Sequence, residues 1–264
     1  MKKIIADIKL FRKIFFPIFS KINFEITIKH DVTNRKLSIL TWDHKGYWYY
    51  GREREKSELS MFKRLINEGD NVLEVGGHIG YVTQVFEDLV GDQGRVFVAE
   101  PTPKSRFYLK KNVRSNTKVL PIALADINGE MDFFTEKFGG FTNSLISDFT
   151  KKSNKSLANT QVSVAEDSIK KISVEVRTID TICDEYDIKP DFLKIDVEGA
   201  ELSVLKGAQK TLKNVQSLMV EVSENKEKIV KILKAYNFKA FDSKGENISN
   251  SVPDDNQNIF FYKT

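Results

Sequence analysis

From Asn71 onward the chain alternates short apolar runs with segments whose apolar residues recur every three or four positions. NVLEV (71–75), RVFVAE (95–100), KVLPIAL (118–124), DFLKID (191–196) and QSLMVEV (216–222) have strand length. They are nearly continuous apolar runs, which predicts strands covered on both faces. Between them the spacing predicts helices over Tyr81–Leu89, from Pro103 to about Val113, over Ala200–Leu212, and through Ile229, Ile232, Leu233 and Tyr236. GDQG (91–94) predicts a turn. Strands that alternate with helices imply crossover units and a parallel sheet. NFKAFD (237–242) and NIFFYK (258–263) predict an antiparallel pair that closes the chain.

Two regions depart from this rhythm. Ahead of it, FEITIKH (24–30) and KLSILTW (36–42) flank Asn34 and predict a hairpin. Leu59, Phe62, Leu65 and Ile66 then predict a helix that ends at the Gly69–Asp70 turn. In the middle, GEMDFF (129–134) predicts an extra strand and VEVRTI (174–179) a return to the strand pattern. Residues 135–172 are mostly polar, a length that in a compact domain is usually functional or disordered. The division this suggests is an extension of helix and hairpin over 1–54 and a main domain over 55–264, with 135–172 as a variable insertion or lid.

Composition narrows the picture. With 264 residues and 41% apolar content the chain can bury one sizeable core. A formal charge of +4 fits a solvated lysine-rich surface better than a nucleic-acid partner. Cys183 is the single cysteine, so no internal disulfide exists; its setting predicts a small core residue on a helix. No run of 18 apolar residues occurs, so no transmembrane helix is expected. Asp7, Lys9, Arg12 and Lys13 interrupt the N-terminal apolar stretch, which argues against a signal peptide. That stretch reads as an amphipathic helix stopped by Pro17. It either packs on the domain or, over residues 1–20, makes peripheral contact with the inner face of a membrane. The expected location is the cytoplasm.

Candidate chemistry gathers at strand ends. VLEVGGHIG (72–80) is a buried strand running into a glycine turn and a helix. Gly76, Gly77 and Gly80 carry no Cβ, so a ligand can approach the backbone, and the following helix offers free N–H groups to an anionic ligand group. The pattern lacks the G-x-G-x-x-G dinucleotide fingerprint. Glu100 ends the second strand, where a carboxylate can accept hydrogen bonds from two ribose hydroxyls. Asp126 follows the third strand; it can accept from an adenine amino group or simply serve a turn. Asp196 ends the fourth strand on the same crevice, and Glu198 follows it. These two acids can bind a metal, orient a hydroxyl or act as a base. Glu201 suits the helix dipole. His78 has an ordinary pKa suited to proton transfer, and it can equally just line the turn. His30 and His44 receive no role. The aromatic run GYWYYG (46–51) is a candidate acceptor wall or a packed edge, and Thr142, Asn143 and Ser144 a candidate lid.

VLEVGGHIGYVT, RVFVAEP, ALADINGEMDFF, TNSLIS, VRTIDTI, FLKIDVEGAELSVLKGA and SLMVEV occur in this order. Together, over roughly residues 55–242, they resemble the FkbM family of methyltransferases that use S-adenosylmethionine (SAM). The resemblance implies an α/β, Rossmann-like class I methyltransferase fold. Its central, mostly parallel seven-stranded sheet has helices on both faces, and SAM lies across the strand ends. It implies that Glu74 and the backbone of Gly76, Gly77 and Gly80 hold the methionine end, that Glu100 binds the ribose, that Asp126 sits near the adenine and that Asp196 stands near the transferred methyl. The family's usual strand-one turn is D-V-G-A-N-x-G; here Glu74 replaces the Asp, Gly77 the Ala and His78 the Asn. Candidate bases are Asp196, Glu198 and His78, and no metal is expected. Family members often methylate hydroxyls, so a small-molecule or glycan acceptor is implied. N-methylation or a non-catalytic interaction module are the alternatives.

Overall fold

The computed structural model describes residues 22–49, 56–136, 144–145, 169–222, 224–253 and 258–263. The expected N-terminal amphipathic helix, Thr142 and Asn143 lie outside the described residues. The hairpin forms as expected: β1 (Glu25–Lys29) pairs antiparallel with β2 (Lys36–Leu40), Glu25 opposite Leu40 and Lys29 opposite Lys36. Asn34 takes φ +60° in its turn, a conformation that Asn tolerates because its short polar side chain bonds locally. Two helices follow, α1 (Lys45–Tyr49) and α2 (Lys56–Leu65).

Next come β3 (Asn71–Val75), α3 (Tyr81–Val90), β4 (Arg95–Ala99), α4 (Pro103–Asn112) and β5 (Lys118–Leu120). A short β6 (Ala123–Leu124), β7 (Gly129–Glu136) and β8 (Ile169–Arg177) form a separate three-stranded sheet in the order β6-β8-β7. The chain then returns through α5 (Ile179–Tyr186), β9 (Phe192–Ile195), α6 (Glu201–Lys206), α7 (Thr211–Asn214), β10 (Ser217–Glu221), α8 (Lys226–Ala235), β11 (Lys239–Phe241) and β12 (Asn258–Tyr262).

The main sheet has seven strands in the order β11-β12-β10-β9-β3-β4-β5. The pairs β10·β9, β9·β3, β3·β4 and β4·β5 are parallel, and β12 runs against both its neighbours. This is the doubly wound, mostly parallel sheet that the resemblance implies. Alternate residues feed two cores. Leu73, Val75, Leu193, Ile195, Leu218 and Val220 pack with Ile182, Leu205, Ile229 and Leu233 on one face. Val72, Phe192, Met219 and Phe260 pack with Phe62, Val85, Phe86, Leu37 and Ile39 on the other. The central strands are thus mainly apolar on both faces, with Glu74 of β3 and Lys194 of β9 as buried polar residues one position before their strand ends.

Three expectations need correction. KVLPIAL is not one strand: Pro121 cannot donate to the ladder, so the run breaks there and β6 joins the small sheet. The strand expected from Val174 begins at Ile169 and ends at Arg177; Lys170, Lys171 and Ser173 are exposed there and interrupt the apolar pattern. The helix expected over Ala200–Leu212 is two short helices with a turn at Gly207–Lys210. A Cβ on Gly207 would overlap the Ala125 carbonyl, so glycine lets this turn press on the chain after β6.

The hairpin is docked firmly against the α3–α4 side. Asn112, the last residue of α4, accepts from the Ser38 N–H at 2.6 Å and donates to the carbonyls of Ser38 (3.0 Å) and Ile79 (2.8 Å). His30 stacks on Tyr81 at 4.0 Å between ring centroids, and its Nε2 lies 2.9 Å from the Tyr81 carbonyl. The Asn112–Ser38 bonds and the His30–Tyr81 contact anchor the extension beside the glycine turn. Cys183 lies on α5 in the core; burial pushes its thiol up to about 11, which keeps it unreactive.

Candidate active site

A cavity of about 430 Å3 opens at the carboxyl ends of β3, β4, β9 and β10, within the size range of small-molecule sites. Glu74, Gly76, Gly77, His78, Glu100, Asp196 and Glu198 all line it. Gly80 and Asp126 do not. The missing Cβ of Gly80, at φ +87°, makes room for Leu109 and Val113 of the α4 region rather than for a ligand. Asp126 is exposed and accepts a 2.6 Å bond from Ser203 Oγ. Ile122, Ala123, Leu124, Phe133 and Leu145 supply an apolar wall instead.

The glycine turn is tight for a reason the parallel register supplies. Asp196 N–H donates to the Val75 carbonyl at 3.0 Å, which draws the two strand ends together. Gly76 adopts φ +90°, and a Cβ there would overlap the Asp196 carbonyl. At Gly77 a Cβ would overlap Val98. Glycine at both positions therefore answers backbone and strand packing as well as ligand access.

Glu100 is buried, with one oxygen accepting from the Thr102 N–H at 2.8 Å and the other from the His78 N–H at 2.9 Å. Burial pushes its carboxyl up to about 7, and those two bonds and nearby Arg106 oppose the push. Glu100 also accepts from the Thr102 side chain, and the carboxylate's remaining acceptor capacity is open to a ligand hydroxyl.

At the centre, Lys194 of β9 lies opposite Glu74 of β3 in the parallel register. Its Nζ is 2.9 Å from Asp196 Oδ2 and 3.5 Å from Glu74 Oε1, and both Lys194 and Glu74 are buried. Thr83 Oγ1 donates to the other Glu74 oxygen at 2.5 Å. Burial raises the Glu74 carboxyl above its usual value, against the pull of Lys194. Glu221, at the tip of β10, completes the cluster. It shares a hydrogen bond between carboxyls with Asp196, and its own carboxyl is pushed up to about 10, first by the Asp196 charge and then by burial. Burial opposes charge on Asp196, but Lys194, the Glu221 proton and His78 overcome it and hold Asp196 below its usual value. Glu198 takes φ +51° in the turn before Gly199; burial and then the Asp196 charge push it up to about 8. Asp196, Glu198 and Glu221 each bring an oxygen within 4.8 Å of the others. The cluster thus holds an ionised carboxylate, a protonated one and a third poised near neutrality.

Ser144 Oγ donates to the Glu198 carbonyl at 2.7 Å and pairs through its backbone with Phe134, which ties this point of the middle segment to the cluster. Glu201 is buried at the start of α6 and accepts from the Gly199 N–H at 2.7 Å, so it braces the same turn.

A family model described as the methyltransferase FkbM domain matches residues 74–242, well over half of the chain. The chain belongs to the FkbM methyltransferase family. The curated relatives that match are methyltransferases. 2-O-methyltransferase NoeI of Sinorhizobium fredii (strain NBRC 101917 / NGR234) is 25% identical over 181 residues, 66% of this chain and 73% of that protein. Methyltransferase sdnD of Sordaria araneosa is 28% identical over 176 residues, 58% of this chain and 66% of that protein. Among solved structures, Aeropyrum pernix fibrillarin with natively bound S-adenosyl-L-methionine aligns at TM-score 0.40 and 16% identity, covering 91% of this chain and 82% of that one. Precorrin-6y C5,15-methyltransferase of Geobacter metallireducens GS-15 aligns at TM-score 0.41 and 10% identity, covering 80% and 89%.

This FkbM methyltransferase is an enzyme, and its cofactor is SAM. The lining fits that cofactor: apolar Ile122, Ala123 and Leu124 and the carboxyl groups of Glu100 and Asp196 share one cavity. Among the described residues no helix is long and apolar enough to cross a membrane. Pattern reading of the strand tips named Glu74, Glu100, Asp196 and Glu198, which line the cavity. It missed Lys194 and Glu221, whose signal lies in strand neighbourhood rather than in local motif.

Proposed function

We propose that this FkbM methyltransferase transfers the methyl group of SAM to a hydroxyl on a sugar, glycan or secondary metabolite. The observation that carries this reading is the joint lining of one cavity by Glu100, the Gly76–His78 turn and Asp196. The activity in the name of its relative NoeI, 2-O-methylation, supports oxygen as the acceptor atom. In this reading Glu100 holds the ribose, Glu74 and the turn at Gly76 and Gly77 hold the methionine end, and Asp196 stands beside the methyl. SAM supplies an electrophilic sulfonium methyl for in-line displacement. Asp196 and Glu198 orient the acceptor hydroxyl, and Asp196 receives its proton as the new C–O bond forms and the methyl–sulfur bond breaks, S-adenosylhomocysteine leaving. We take residues 55–264 as the catalytic domain and 1–54 as its extension.

A transfer screen with methyl-labelled SAM over neutral glycans, small alcohols and amines tests the acceptor. Label on hydroxyl compounds is expected; label confined to amines would replace this reading with N-methylation. Glu100→Ala is expected to weaken SAM binding by about 1–3 kcal/mol, the range for losing a buried polar partner. Because an ionised carboxylate is the better acceptor of ribose hydroxyls, SAM affinity should rise with pH through about 7. Isothermal titration between pH 6 and 8 checks both; a flat profile with normal Glu100→Ala affinity removes Glu100 from the ribose.

A further inference from the structure

We propose that Tyr47, from the segment ahead of the family-matched region, is a positioning residue for the ribose end of the cofactor, acting through His78 on Glu100. This deepens the reading above and rests on the assignment of Glu100 to the ribose.

The path is two hydrogen bonds long. The Tyr47 hydroxyl lies 2.9 Å from His78 Nδ1, and the His78 backbone N–H donates to Glu100 Oε2 at 2.9 Å. Tyr47, His78 and Glu100 line the same cavity. The His78 backbone sits at φ +47°, a left-handed conformation that a side-chain-bearing residue keeps only when its surroundings hold it. Tyr47 supplies such a hold: its ring lies 6.0 Å from the His78 ring at an interplanar angle of 24° and 5.1 Å from that of Tyr81. His44 braces the other side of His78, edge-on at 5.5 Å. Its own Nδ1 accepts from the Leu40 N–H, and burial takes it down to about 3, so it braces His78 as a neutral ring. Where the family pattern has Asn, this chain has a ring long enough to meet a residue of its N-terminal extension. The extension therefore reaches the cofactor site through one peptide unit.

The charged group that acts on Glu100 among the described residues is Arg106 of α4, which donates to the Glu100 and Pro101 carbonyls at 3.0 and 2.8 Å. Removal of the Tyr47 hydroxyl leaves Arg106 in place and loosens only the bond from His78. That bond favours the ionised carboxylate, so its loss should move the Glu100 titration upward.

The test is isothermal titration of the full chain with SAM from pH 6 to 8. Tyr47→Phe keeps the ring packing and is expected to weaken SAM by about 2–12-fold at pH 7, the fold equivalent of one ordinary hydrogen bond. The midpoint of the affinity profile should also move to higher pH. His78→Ala should weaken SAM at least as much, and the double variant no further than His78→Ala alone. Wild-type affinity with an unmoved midpoint in Tyr47→Phe, or additive losses in the double variant, would overturn the proposal. Glu100→Ala separates the two failures: weakened binding there with a silent Tyr47→Phe sinks only the role of Tyr47, whereas normal binding in Glu100→Ala sinks the ribose assignment itself.

Discussion

Asp196→Asn is expected to lower methyl transfer by roughly 10²–10⁴-fold, the usual contribution of a positioned proton acceptor. SAM affinity should stay within a few fold of wild type, because binding rests on the other strand tips. The substitution keeps shape and removes only the capacity to carry charge and take a proton. Asp196 is the member of the cluster held ionised, since Lys194 sits on one of its oxygens and Glu221 supplies a proton between the two carboxyls. The same arrangement predicts an asymmetry. Glu221 already carries a proton at neutral pH, so Glu221→Gln should retain most of the activity that Asp196→Asn loses. Single-turnover transfer to the acceptor found in the screen, alongside titration with SAM, measures both. Equal losses in the two variants would mean that both acids must ionise. A fully active Asp196→Asn would pass the proton-accepting role to Glu198, whose carboxyl is poised at about 8.

The contrast between what the sequence told and what it hid follows from how each feature is encoded. NVLEV and RVFVAE read as strands because a strand covered on both faces is a nearly continuous apolar run, and β3 and β4 sit inside the sheet. The hairpin read clearly because Leu37 and Ile39 alternate with polar residues over one buried face. Carboxylates at strand tips were legible for the same reason: an acid that ends an apolar run has its backbone fixed at the sheet edge where ligands bind. Lys194 was not legible. Within FLKID a lysine looks like an interruption of the run, and only the pairing of β9 with β3 sets it opposite Glu74. Glu221 likewise needed the neighbourhood of β10 and β9 before it could be seen beside Asp196. Tyr47 lay in an aromatic run that had been weighed as an acceptor wall or a packed edge, and its partner His78 is 31 residues away. Asp126 and Gly80 show the converse. Both stand in motif positions, yet one side chain turns out to Ser203 and the other position packs against α4. Motif order fixes which strand end a residue occupies, but not where its side chain points.

Lys194→Met should cost about 3–5 kcal/mol of stability, the range for breaking a buried ion pair from one side. Glu74 is 1% exposed, and without the ammonium the hydrogen bond left to its carboxylate among the described residues comes from Thr83 Oγ1. In a protein of this size that loss lowers the melting temperature by roughly 6–20 °C. The pH dependence carries the mechanism. A buried carboxyl whose folded pKa lies above its unfolded value keeps its proton in the folded state while the unfolded chain releases it. Stability then falls as pH rises from the unfolded value toward the folded one. Burial already raises Glu74, and loss of the Lys194 charge raises it further. The variant should therefore be closer to wild type at pH 5 than at pH 8, since at low pH a proton takes over the work of the ammonium. Adding Glu74→Gln to Lys194→Met removes the stranded charge and should recover much of the lost stability at pH 8. Thermal denaturation of the three proteins at the two pH values tests this. A Lys194→Met variant that melts with wild type at pH 8, or a double variant no better than the single one, would show that Glu74 is already neutral and that Lys194 serves Asp196 alone.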